Sequence, residues 1–293
     1  MRRAAAASVL AASLAFATRA RAQLPTTSAR TLGEQTPSGA ALGISQKLPF
    51  WGAGATRFFV ATTFELGVLN TRETVAIGYG KPHWQWIGVD GYTSVATQGG
   101  TNYAGVHVAT PYVELRAGAR YAFDIGQYFL VPRDQFTRYD VADEGQPVQR
   151  YLAYESELSI GVPLPSSALF GIATVTHFDG APQGYWIFDD VLHTVFAPPW
   201  GIRGRVGYYL RTGIDENLKL GAAVELIDSP DRNSVTFRAG PVAALTLTHH
   251  TDLTASFMAV IAARDELGLL GGEFTTIGIR YRWASGDRWP EFP

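Results

Sequence analysis

The run FTTIGIRYRW (274–283) places Arg280 and Arg282 on alternate residues between Ile277, Ile279, Tyr281 and Trp283. The spacing returns upstream. GIRGRVGYYLR (201–211) carries Arg203, Arg205 and Arg211, NLKLGAAVEL (217–226) carries Lys219 and Glu225, and Arg238 and Arg264 fall in the two runs that follow. Nearer the N-terminus, YVELRAGARY (112–121) sets Glu114, Arg116 and Arg120 on one parity, and YLAYESELSIGV (151–162) does the same with Glu155 and Glu157. Guanidinium and carboxylate groups two residues apart on an extended chain share one face. Such a face can hold a salt-bridge network or set an electric field for charged solutes.

Covalent chemistry finds less support. Nucleophilic catalysis needs a nucleophile, a base and an orienting group in register. FDDVLH (188–193) brings Asp189, Asp190 and His193 into one loop, a pattern a carboxylate–histidine hydrolase could use. No G-x-S-x-G accompanies it, so a hydrolase is the minor reading. His249 and His250 occupy a short HHTD turn and read as solvated turn residues rather than metal ligands. GYGKPHWQW (78–86) lacks the spacing of a phosphate loop. Its Trp84 and Trp86 share a parity and are expected in an interfacial aromatic belt.

The elements that position these charges follow from period two. RFFVATTFELGVL (57–69) sets Phe58, Val60, Phe64, Leu66 and Val68 against Glu65 and Gly67, and the alternation persists to Trp283. Short turn-rich connectors separate the runs: TGIDEN (212–217), DSPDRN (228–233), HHTD (249–252) and DELGLLGG (265–272). Strands joined this way form an antiparallel meander. The segments 131–150 and 177–200 lose the period and read as long loops.

The rest of the chain bounds the compartment. MRRAAAASVLAASLAFATRARAQ opens with Arg2 and Arg3, continues as an apolar run too short to span a bilayer and reaches Ala20-Arg21-Ala22, which together read as a signal peptide over residues 1–22. Its removal takes four of the 24 basic residues and none of the 26 acidic ones, leaving −6, which argues against nucleic acid as a partner. There is no cysteine, hence no disulfide framework. Residues 23–55 read as a flexible arm.

Many runs reach the roughly 9–11 residues that a tilted strand needs to cross a bilayer. Throughout them the apolar parity is free of charge, as lipid contact requires. With its leader, meander strands and aromatic-ended FTTIGIRYRW, the chain resembles bacterial outer-membrane β-barrel proteins as a class, over roughly residues 56–283. The resemblance departs from the class pattern at the end, where ASGDRWPEFP follows Trp283. It implies an all-β, antiparallel up-and-down transmembrane barrel of about 12 strands, with 10 as the alternative, in a Gram-negative outer membrane. Residues 56–293 would be the barrel with its C-terminal tail, and HHTD and TGIDEN would be periplasmic turns.

The expected partners are outer-membrane lipid, the barrel-assembly machinery and small anionic solutes, with no cofactor. The interior charges would be Arg203, Arg205, Arg211, Lys219, Glu225, Arg238, Arg264, Arg280, Arg282, Glu114, Arg116, Arg120, Glu155 and Glu157, either filling the lumen as a network or lining a pore. A plugged structural or adhesion barrel and a secreted soluble β-sandwich that binds a ligand are the other readings.

Overall fold

A computed structural model describes residues 50–67, 70–96, 99–142, 146–189, 191–213, 216–267 and 275–286. The expected signal peptide, nearly all of the 23–55 arm, Val68, Asp190, Phe274 and the RWPEF tail lie outside the described residues.

Twelve antiparallel staves close on themselves. Seven come first: β1 (Arg57–Gly67), β2 (Asn70–Lys81), β3 (Gln85–Ala96), β4 (Gly99–Ala109), β5 (Val113–Tyr128), β6 (Val148–Leu164) and β7 (Ser167–Asp179). The short strands β8 (Ile187–Asp189) and β9 (Thr194–Phe196) form a separate hairpin. The wall resumes with β10 (Trp200–Thr212), β11 (Leu218–Ser229) and β12 (Ser234–Thr246). β13 (Thr251–Phe257) and β14 (Ala259–Ala262) make one stave interrupted at Met258, and β15 (Thr275–Ala284) is the last. Each stave pairs with its sequence neighbour, and β15 pairs with β1 from Ala61↔Ala284 to Gly67↔Gly278. Closure removes both sheet edges.

The two faces are the reverse of those of a soluble protein. Phe58, Ile77, Ile87, Val106, Leu210, Ile277 and Ile279 point outward and are exposed, while the alternate residues, rich in arginine, are buried. A soluble sandwich would bury the first set. An outward face this rich in exposed Phe, Ile, Leu and Val around the barrel instead requires hydrocarbon for solvent, which removes the soluble-sandwich reading. No described helix is long and apolar enough to cross a membrane, so the crossing is made by strands.

The ends differ in kind. One carries the tight connections 110–112, 165–166 and 247–250 together with the 213–217 turn, the start of β1 and the end of β15, the arrangement of the periplasmic end in barrels of this kind. The opposite end carries the connections 129–147, 180–199 and 263–274. The connections that contain HHTD and TGIDEN both fall at the first of these ends.

Candidate functional site: the charged lumen

Cross-strand register builds the inner wall. Arg205, Glu225 and Arg238 stand opposite one another on β10, β11 and β12, so their side chains meet inside. Glu225 is fully buried and accepts Arg203 Nε at 2.7 Å, Arg205 Nε at 3.0 Å and, through Oε2, Arg238 Nη1 at 3.4 Å. Three guanidiniums therefore share one carboxylate.

A second row crosses the seam. Arg72, Glu65, Arg280 and Asp252 are register neighbours on β2, β1, β15 and β13. Glu65 accepts Arg280 Nε at 2.7 Å, with Arg72 Nη1 at 3.7 Å, and Asp252 accepts Arg282 Nη2 at 2.6 Å. The third group lies on β3–β6. His107 bridges Asp90, at 3.1 Å, and Glu114, and Arg116 reaches Asp90 at 2.7 Å. Arg72 lies over the Tyr92 ring at 4.6 Å and Arg116 over Tyr103 at 4.9 Å, while the two tyrosine rings stack on each other. Arg120 donates to Glu155 at 2.6 Å.

Most of these buried charges have an opposite partner within 4 Å, the condition under which charge persists in a low-dielectric interior. The balance is uneven around the wall. On their inner faces β10–β15 bury Arg203, Arg205, Arg211, Lys219, Arg238, Arg280 and Arg282 with the carboxylates Glu225 and Asp252, whereas β3–β6 set Asp90, Glu114, Glu155 and Glu157 beside Arg116, Arg120 and His107.

Of the residues expected inside, Arg264 stands apart. It lies beyond the end of β14, exposed, donating to Asp134 at 3.2 Å and to the Arg232 carbonyl at 3.1 Å. Its parity is an inner one, but the barrel wall has ended before it is reached. Trp84 and Trp86 correct the belt expectation. Both are buried, because β3 turns the face of Trp86, Asp90 and Tyr92 inward, and the Trp86 ring lies against Gly78, where an added Cβ would meet it at 2.6 Å. His250 is also buried, its Nδ1 facing the Arg282 carbonyl at 2.8 Å. Arg72, Asp90, His107 and Asp252 were not among the expected interior charges, although NTRETVAIGYGK (70–81) shows the same alternation as the runs that revealed the others.

Both mouths are filled. At the periplasmic end a single helical turn, α1 (Phe50–Ala53), sets Trp51 into a cluster with Phe59, Trp84 and Trp86. Lys81 Nζ donates to the Gly52 carbonyl at 2.7 Å and Trp51 Nε1 to the His249 carbonyl at 3.2 Å. At the outer end the β8–β9 hairpin packs Ile187 and Phe196 against Tyr151, Phe178 and Ile227. Arg238 Nη2 donates to the carbonyls of Leu192 at 2.5 Å and His193 at 3.2 Å. Arg232 clasps the neighbouring loops: it lies over Phe136 at 5.0 Å and Trp186 at 4.8 Å and pairs with Asp265. Between the mouths a cavity of about 40 Å³ is bordered by Tyr92, Tyr103, Arg116, Arg120, Asp189 and Arg203.

The FDDVLH loop does not assemble a hydrolytic pair. The Asp189 carboxylate faces Arg120, Tyr151 and the Leu192 amide, while His193 Nε2 faces the Leu267 carbonyl at 3.1 Å and its Nδ1 is buried without a hydrogen-bond partner. Asp190 lies outside the described residues.

A closed barrel with hydrocarbon-facing apolar rows, a charged lumen and short turns at one end defines a transmembrane β-barrel, the architecture of outer-membrane β-barrel proteins. No protein-family model matches the chain, and no curated protein does. Among solved structures it is similar to the KdgM porin, at 7% identity over 76% of this chain and 98% of that one with a TM-score of 0.38. It is similar also to the NanC porin, at 9% identity over 78% and 98% with a TM-score of 0.35. A third is the Acinetobacter baumannii outer membrane protein Omp33, at 13% identity over 78% and 97% with a TM-score of 0.36.

Proposed function

We propose that this barrel is a narrow, gated passage for small hydrophilic solutes with a preference for anions. The observation that carries the reading is the convergence of Arg203, Arg205 and Arg238 on the lone carboxylate of Glu225, which leaves the β10–β12 wall with a net positive charge. In a confined lumen with low-dielectric walls, fixed charge of one sign raises the local concentration of the opposite ion. Arg211, Lys219, Arg280 and Arg282 extend the same sign toward the seam, while the carboxylates Glu114, Glu155 and Glu157 with Arg116 and Arg120 line β5 and β6, separated from β10 by β7 alone. Passage requires α1 and the β8–β9 hairpin to move aside, so the structure corresponds to the shut state of such a channel.

The filled mouths support a second reading, a non-conducting barrel that serves as an anchor or adhesion surface. Planar-bilayer recording separates the two. A channel shows openings in which anions permeate faster than cations, and the Arg203→Gln/Arg205→Gln double variant, which leaves Glu225 its bond to Arg238, lowers that permeability ratio. Absence of current from folded protein, or a ratio that the double variant leaves unchanged, rejects the anion passage.

A further inference from the structure

Asp189 sits on β8, a strand of three residues whose ladder partner, β9, is equally short. It is fully buried inside the outer end of the lumen. Its Oδ2 accepts Arg120 Nη2 at 2.9 Å and the Tyr151 hydroxyl at 3.1 Å, and its Oδ1 accepts the Leu192 amide at 3.0 Å. The two sides of this contact are built differently. Arg120 and Tyr151 belong to β5 and β6, long staves of the continuous wall, and Arg120 is aimed by its Nε bond to Glu155 and by its approach to the Tyr151 ring. The carboxylate belongs to an inserted loop. Arg116 and Arg203 border the same small cavity.

A guanidinium and a phenol converging on one oxygen form a charge-assisted site for any carboxylate, whether or not it is attached to the chain. We propose that Arg120 and Tyr151 form a carboxylate-binding station, that Asp189 is its tethered occupant, and that small carboxylate solutes bind by displacing Asp189 and lifting the β8–β9 hairpin. The inference takes its solute class from the anion passage proposed above, but binding at the station does not require conduction. A tethered occupant competes at an effective concentration on the order of millimolar. Free carboxylates therefore bind the wild-type protein weakly and gain once the tethered charge is removed.

Asp189→Asn suits the test because its amide oxygen can still accept the Leu192 amide, which preserves the loop turn, while the charge facing Arg120 is lost. Full-length protein in detergent is titrated with acetate and with lactate at constant ionic strength, with chloride as the control, by calorimetry. Asp189→Asn is expected to bind acetate at least tenfold more tightly than wild type, and Arg120→Gln added to it is expected to abolish the gain. Limited proteolysis gives a readout on the wild-type protein: acetate is expected to accelerate cleavage within 180–199, and chloride is not. Unchanged acetate affinity, a gain that survives Arg120→Gln, an equal response to chloride, or cleavage that acetate leaves unaltered each overturns the station. If acetate binding behaves as expected in a protein that never conducts, the passage fails and the station stands. If anions permeate but Asp189→Asn binds no tighter, the station fails and the passage stands.

Discussion

Glu65 of the first strand accepts the Arg280 Nε–H of the last at 2.7 Å, across the seam where the sheet meets itself. These residues are 215 positions apart in the chain, and their Cα atoms are register partners. The same carboxylate lies 3.7 Å from Arg72 on β2, so the bond that closes the barrel is also part of the inner network.

Removing Arg280 takes from the half-buried Glu65 carboxylate its 2.6–2.7 Å guanidinium partner. Arg280→Met is expected to lower stability by about 3–5 kcal/mol, the usual effect of breaking a buried ion pair. Pairing it with Glu65→Gln should recover much of the loss. Urea unfolding in detergent micelles, followed by gel mobility with and without boiling, measures both. Equal stability of Arg280→Met and wild type would show that the seam is held by its backbone ladder alone.

Trp51 closes the periplasmic mouth from an element of one turn. It is almost completely buried among Phe59, Trp84 and Trp86, and the His83 and His250 rings contact it at 4.6 and 5.3 Å. Truncating a buried tryptophan costs about 3–5 kcal/mol, against which α1 keeps the Lys81 bond to the Gly52 carbonyl and the stack of Phe50 on His249. Trp51→Ala is therefore expected to release the turn while leaving the barrel folded. In bilayers it should raise the open probability severalfold without altering ion preference. Conductance identical to wild type would place the barrier elsewhere.

The outer closure is expected to weaken in acid. Burial pushes the His193 imidazole below the ordinary histidine range, and the neighbouring Arg238 acts in the same direction, while the Leu267 carbonyl at its Nε2 opposes them. Released from the lid, the ring titrates near its usual value of about 6.5. The open form thus binds a proton that the closed form refuses. The closed state is favoured fully above that value and loses this contribution as pH falls from about 6.5 toward the depressed value. Proteolysis within 180–199 should accelerate between pH 7.5 and pH 5.5, and His193→Gln should flatten the dependence. A rate that rises equally in the variant would assign the effect to other groups.

Much of the wall was legible because a lipid-facing strand obeys a simple rule. Leu218, Leu220, Val224 and Leu226 must face hydrocarbon, so Lys219 and Glu225 must face inward, and no tertiary information is needed to say so. The rule failed where both faces carry aromatics. Trp84 and Trp86 suit an interfacial belt as well as a packed mouth, and the register of β3 decides between them. It also failed in the loops, where Ile187 and Phe196 fold back against the inner wall and Phe188 and Val195 bury themselves among the outer connections, which leaves no periodic trace.

The order of residues along the chain determined the strand faces, the compartment and the sign of the inner wall, since each depends on parity and composition that neighbouring residues carry. Which charges meet was decided only by the closed sheet. Glu225 collects three guanidiniums, Arg280 finds Glu65, and Asp189 meets Arg120 and Tyr151 because register and loop insertion bring together groups that are distant in sequence.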